Sequence, residues 1–312
     1  MSASGIVARN TEVIERAFDI EGRSLWTDAR RRLVKNRAAL ASIIVLSVIA
    51  LVAIVVPFFW PYGYADIDYA NIACAPDWWP GGDAACFAGG WHIFGMDQNG
   101  RDLFVRVLYG ARVSLSVGVV ATLVSLLIGV TYGAVAGFVG GRVDELMMRL
   151  VDVLYSLPFI FFVIILMVVF NQNFFLLFVA IGAVEWLTMA RIVRGQTLST
   201  KQKEFIEAAR AAGLGTFATI RRHVIPNVLG PVVVYVTLTI PTVILAESFL
   251  SFLGLGIQDP LTSWGVLIAD GKDHMETAPW MLIFPALFMA VTLFCFNFIG
   301  DGLRDALDPK DR

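Results

Sequence analysis

Two acids are the side chains in this sequence most plainly placed for chemistry. Glu185 falls in a long apolar stretch and Glu247 at the end of another, where a carboxylate is costly to hold and by default marks a functional position. Glu185 is expected to be the deeper, with Glu247 near an outer interface where water is available. Either can line a polar path, and either can instead hydrogen-bond one helix to another. Pro158 and Pro241 fall in apolar stretches as well; each is a place for a bend or hinge, although membrane helices also tolerate proline for ordinary reasons.

Little else pairs for catalysis. His92, His223 and His274 are far apart in the sequence, and neither HExxH nor GxSxG occurs. The pattern GxxxxGK[ST] is missing too, since the GLG runs at Gly213 and Gly254 lack its lysine, so ATP is not bound by that route. Asp97, Asn99 and Asp102 invite a calcium-loop reading, but the EF-hand ligand order and closing Glu are missing. They are expected to form a turn that starts a helix. No catalytic residue, metal set or cofactor of this chain is therefore expected.

The elements that must position these residues follow from composition. With 57% hydrophobic and only 16% charged residues, the chain reads as an all-α polytopic membrane protein. Its net charge of −2 argues against nucleic acid. A span needs about 20 apolar residues, and six stretches reach or approach that: Ala38–Phe59, Val113–Val139, Leu150–Phe170, Phe174–Ala190, Val228–Ala246 and Trp280–Ile299. Only Asn171-Gln172-Asn173 separates the third from the fourth, which predicts a tight hairpin.

Arg30, Arg31, Arg32, Lys35 and Arg37 precede the first span and place the N-terminus in the cytoplasm. Alternation then leaves only Arg101, Arg106, Arg112 and Lys272 outside, and returns the C-terminus to the cytoplasm. The first span starts too late for a cleaved signal and is expected to be an uncleaved anchor of the inner membrane. The expected divisions are a tail with an interfacial helix at 1–37, a first span at 38–59, an outer loop at 60–112, a five-helix core at 113–300 and a tail at 301–312.

Within the second span, Gly129, Gly133 and Gly137 form small-xxx-small repeats that allow close helix approach in lipid. Cys74 and Cys86 sit in the outer loop, in an oxidising compartment if the topology holds. A disulfide there would contribute about 3 kcal/mol, with two free thiols as the alternative. Cys295 is expected to be a small packed hydrophobe. The run from Glu247 to Gly265 is too short and broken to cross, and predicts a re-entrant or surface-lying element on the outer side.

A charged island runs from Lys201 to Asn227. Its first helix carries Glu204, Glu207, Ala208, Ala209 and Arg210, and ends at Gly213. A second helix is expected to start at an N-cap Thr216 and to close at Pro226. A smooth alanine surface edged with charge suits docking and offers no nucleophile with a base.

Glu207-Ala208-Ala209, then Gly213 and Ile225-Pro226, resemble the EAA loop of permease subunits of bacterial ABC importers. Phe94–Gly118, Asp144–Pro158 and Glu247–Gly265 narrow the resemblance to the C-type permease of dipeptide and oligopeptide importers. It covers nearly all of the chain beyond the N-terminal tail. It implies the type I ABC importer permease fold, with a second, B-type permease, two ATP-binding subunits that hold ATP and Mg, and an extracytoplasmic binding protein as partners. Glu204, Glu207, Ala208, Ala209, Gly213, Ile225 and Pro226 would then couple to the ATPase. Glu207 would pair with a basic residue there, where the bland alternative is an i,i+3 pair with Arg210. Relatives carrying nickel or sugars are not excluded. An ion-coupled transporter would show inverted repeats and leave the island unexplained, and an intramembrane enzyme would need paired groups that are not found.

Overall fold

The computed structural model describes residues 25–80, 86, 91–169 and 174–307. Residues 1–24, the expected turn at Asn171-Gln172-Asn173 and the tail beyond 307 lie outside the described residues. Among the described residues the regular elements are helices, with one isolated bridge between Met96 and Asp102.

Helix α1 (Leu25–Lys35) passes directly into α2 (Arg37–Val55). Asn36 caps the junction, its side-chain oxygen accepting from the N–H groups of Ala38 and Ala39 at 3.1 and 3.2 Å, which satisfies donors that a helix start otherwise leaves open. Cys74 and Cys86 of the loop that follows are joined as a disulfide, their Cα atoms 5.9 Å apart.

Helix α3 (Leu103–Val139) begins ten residues before the apolar stretch does. Asp102 sets that start, accepting from the Val105 N–H at 2.8 Å. At 37 residues, α3 is about 55 Å long, well beyond the roughly 30 Å of a hydrocarbon core. A helix of that length has room to project from the bilayer, and Arg106 and Arg112 both lie in its first three turns.

The expected third span is broken. Helix α4 (Gly141–Ser156) and helix α5 (Phe159–Val169) are bent from one another by 82°. Leu157 between them is extended, with φ −77° and ψ 132°, as the residue before a proline tends to be. Pro158 thus ends a helix where a kink was expected. Among the described residues five helices are long and apolar enough to cross a membrane, or six if the bent pair is one span.

Helix α6 (Phe174–Lys201) lies along α3. A methyl group at Gly129 would meet the Met189 side chain, one at Gly133 the Ala190 carbonyl, and one at Gly137 the Arg194 carbonyl. These glycines let two backbones touch, which is what packing in lipid requires. The island forms α7 (Glu204–Ala211) and α8 (Thr216–Thr219), and one π turn (Ile220–Val224) leads from α8 into α9 (Ile225–Phe252). Helices α10 (Trp264–Asp273) and α11 (Trp280–Leu307) follow as the last described helices.

Pro226 closes nothing, against expectation. The π turn, in which the Ile225 N–H donates to the Ile220 carbonyl, widens the helix ahead of a ring that would otherwise press on the preceding turn. Asn227 Nδ2 donates to the His223 carbonyl at 2.7 Å. One helical rod therefore runs from Thr216 to Phe252. Its N-cap is Gly215, and Thr216 is already inside the first turn.

The stretch between α9 and α10 leaves Leu253, Asp259 and Leu261 exposed and ends at an anchored tryptophan. Trp264 is fully buried, its backbone N–H donating to Ser114 Oγ and its indole N–H to the Val107 carbonyl, both at 3.1 Å. It pins α10 against α3.

Candidate functional site

The stop of α7 is built by three backbone bonds. The N–H groups of Ala212, Gly213 and Leu214 donate to the carbonyls of Ala208, Arg210 and Ala209 at 2.9, 2.9 and 3.1 Å. Gly213 stands at φ +85° with nothing within 4 Å of a Cβ placed there, so backbone conformation alone selects glycine. The helix is consequently cut at two turns.

One face of α7 is committed to this chain. Ile206 and Ala209 are buried, and Ile206 joins Val130, Phe138, Met189 and Val224 in a single core cluster. The other face is open: Glu204, Glu207 and Ala208 are exposed, with Phe217 of α8 beside the same stretch of chain at 74% exposure. The expected alanine surface is therefore divided, Ala208 facing out and Ala209 facing in. Ile225 is half-buried against the cluster, and Pro226 is exposed at the first turn of α9.

The Arg210 guanidinium lies 4.7 Å over the Phe138 ring, with Lys201 Nζ 5.7 Å from the same ring. Neither Glu204 nor Glu207 takes part in an ion pair among the described residues. The i,i+3 pair between Glu207 and Arg210 is not formed.

The structure brings Pro158 and Glu185 together and leaves Pro241 and Glu247 elsewhere. A cavity of about 390 Å³ between the break at Pro158 and α6 is lined by Tyr155, Ser156, Pro158, Glu185 and Thr188. Glu185 is half-buried there. Pro241 is buried inside α9, which runs on through it.

Glu247 is the more buried of the two acids. It is wholly buried, and its Oε1 accepts from Ser251 Oγ at 2.6 Å and Ser263 Oγ at 2.7 Å. Ser263 in turn caps α10. Ser251 is a partner one turn away and Ser263 comes from the cap of the next helix; together they make the buried acid a joint between α9 and α10.

Sequence reasoning missed an ion-pair network at the Asp97 end. Asp97 accepts from Arg101 Nε at 2.8 Å and faces Arg106 Nε at 3.2 Å, while Arg101 reaches Asp259 Oδ1 at 3.1 Å. Burial works against the Arg101 charge, but Asp97 and Asp259 outweigh it and raise the guanidinium above its ordinary pKa. His92, read as a lone histidine, meets Asp102 at 2.6 Å. Asp97 and Asp102 were legible as turn and cap; Asp259, which meets Arg101, lies 158 residues from it.

Residues 129–312 match the family described as the binding-protein-dependent transport system inner membrane component, and residues 24–76 match the N-terminal TM domain of oligopeptide transport permease C. The oligopeptide transport system permease protein OppC of Escherichia coli (strain K12) is 57% identical over 97% of this chain and 98% of its own length. That of Haemophilus influenzae is 53% identical over 97% and 96%. The dipeptide transport system permease protein DppC of Bacillus subtilis is 46% identical over 93% and 87%. Among solved structures, an inward-facing MetNI methionine ABC transporter superposes with a TM-score of 0.54 at 19% identity, covering 66% of this chain and 96% of the other. That likeness speaks for the fold, and the sequence relatives speak for the family. The chain belongs to the binding-protein-dependent transport system inner membrane components, as a multi-span helical permease subunit of an ABC transporter.

Proposed function

We propose that this chain is one of two permease subunits of an ATP-driven importer, which moves di- or oligopeptides from an extracytoplasmic binding protein into the cytoplasm by alternating access. The open face of α7 carries the reading: a helix anchored by Ile206 and Ala209 presents Glu204, Glu207 and Ala208 outward, with no ion pair to either glutamate among the described residues. Such a face is suited to seat in a groove of an ATP-binding subunit. Two of those subunits would hold ATP and Mg and hydrolyse the nucleotide, and this chain would bind neither. A second, B-type permease would complete the pathway.

In this arrangement Glu207 meets a basic group of the ATPase. Truncating an interfacial charge of that kind costs about 2–5 kcal/mol, against tenths for an exposed pair within one helix. Both termini face the cytoplasm of the inner membrane, which agrees with the basic cluster before α2. The peptide cargo is supported by the relatives, which are named for oligopeptide, dipeptide and glutathione transport.

Uptake of a labelled tripeptide by cells lacking this chain tests the reading. Uptake is expected to be lost and to return with the wild-type chain; undiminished uptake without the chain, or restored uptake of nickel or a glycoside in place of peptides, would contradict it.

A further inference from the structure

Helix α6 has two faces of different character. Met189, Ala190 and Arg194 press on the glycines of α3, whereas Glu185, Thr188 and Ile192, spaced i, i+3 and i+7, share the face turned away. Glu185 and Thr188 look into the cavity of about 390 Å³ behind the break at Pro158. A smaller apolar compartment of about 100 Å³, bounded by Phe162, Ala183 and Leu187, adjoins it and shares Leu154, Leu157 and Val184.

The cations nearest in sequence are already engaged. Arg191 pairs with Asp152 at 2.8 Å and lies 4.2 Å over the Tyr155 ring. Arg194 grips both oxygens of Asp144 at 2.6 and 2.7 Å. Among the described residues Glu185 takes part in no ion pair and no hydrogen bond, although Tyr235 of α9 stands beside Thr188 within electrostatic reach of it. A half-buried carboxylate at membrane depth is costly unless a positive group meets it. The cavity of about 390 Å³ that it lines falls within the roughly 300–1,000 Å³ range of ligand pockets, and the smaller apolar compartment opens beside it.

We propose that Glu185 forms a cation subsite of the translocation pathway, which receives a primary ammonium of the passing peptide while the adjoining apolar compartment takes a neighbouring side chain. This rests on the peptide-importer reading. A peptide N-terminus and a lysine side chain carry the same ammonium chemistry, so either can occupy the subsite.

The test uses the intact importer in cells with its native partner subunits and compares wild type with Glu185→Gln, Glu185→Asp and Glu185→Trp. The probes are a leucine tripeptide with a free amino terminus, the same peptide N-acetylated, and an N-acetylated tripeptide with one lysine, each supplied at concentrations that load the isolated binding protein equally. Wild type is expected to favour the free amine, and Glu185→Gln to erase about tenfold of that preference, the factor equivalent to about 1.4 kcal/mol. Glu185→Asp should keep it. Uptake of the acetylated lysine peptide at the rate of the free amine assigns the subsite to either nitrogen, and uptake at the slow rate restricts it to the N-terminus.

A preference unchanged by Glu185→Gln overturns the subsite. If Glu185→Trp blocks all three peptides in that case, the groove is still the pathway and only the cation assignment falls. If Glu185→Trp carries all three normally, the pathway reading of this groove falls too. Loss of the second permease from the complex purified from Glu185→Gln cells overturns the proposal in favour of a cation supplied by that subunit.

Discussion

Arg210 on α7 stacks its guanidinium 4.7 Å over Phe138 at the end of α3, turning away from Glu207 three residues earlier. The stack holds the island to the core and leaves the Glu207 carboxylate open on the surface. A cation–π contact at such a site is worth about 0.5–1 kcal/mol, more than the tenths available from an exposed i,i+3 ion pair.

Glu207 and Arg210 should therefore behave independently in the isolated chain. In a double-mutant cycle of Glu207→Ala and Arg210→Ala, followed by thermal unfolding in detergent, the coupling is expected to stay within about 0.5 kcal/mol. Arg210→Ala with Phe138→Leu should instead be clearly non-additive. A larger coupling for the first pair than for the second would contradict the geometry.

Gly213 tests the stop of α7 without touching any side chain. Its φ of +85° and the open space around it mean that Gly213→Ala introduces left-handed strain of about 1–2 kcal/mol and no clash. Gly213→Asn should be milder. The combination of Glu207→Ala with Gly213→Pro is expected to leave the chain in the membrane while peptide-dependent ATP hydrolysis is lost. Wild-type transport by that double variant would remove α7 from the coupling path.

The disulfide between Cys74 and Cys86 sets a labelling pattern. Denatured, unreduced protein should take one thiol label, at Cys295, which is a buried free cysteine; reduction should raise that to three. Label at Cys74 or Cys86 before reduction would mean that the loop is not in an oxidising compartment and would reverse the orientation drawn from the basic residues. Removing the bond is expected to cost roughly 2–5 kcal/mol.

Local signals were the legible ones. The glycine spacing of α3 announced a close helix contact because small residues at i and i+4 have that consequence in lipid, and Met189, Ala190 and Arg194 supply it. Gly213 announced a helix end because its conformation needs no distant partner. Pro158 and Pro226 show the limit, since both read as the same residue type. Pro158 breaks a helix because Leu157 adopts the extended conformation, whereas Pro226 is carried through by a π turn that no residue pattern specifies. The burial of Glu247 depends on Ser263, brought to it by the fold of another segment, which apolar length alone does not announce.

The most direct test of the central claim is to purify the tagged chain from its own membranes in mild detergent, identify what accompanies it, and assay ATP hydrolysis with and without peptide and the binding protein. ATP-binding subunits should co-purify, and their turnover should rise when peptide and binding protein are both present. A chain that comes alone, with no hydrolysis after the candidate subunits are added back, would contradict the account and turn attention to ion-driven transport.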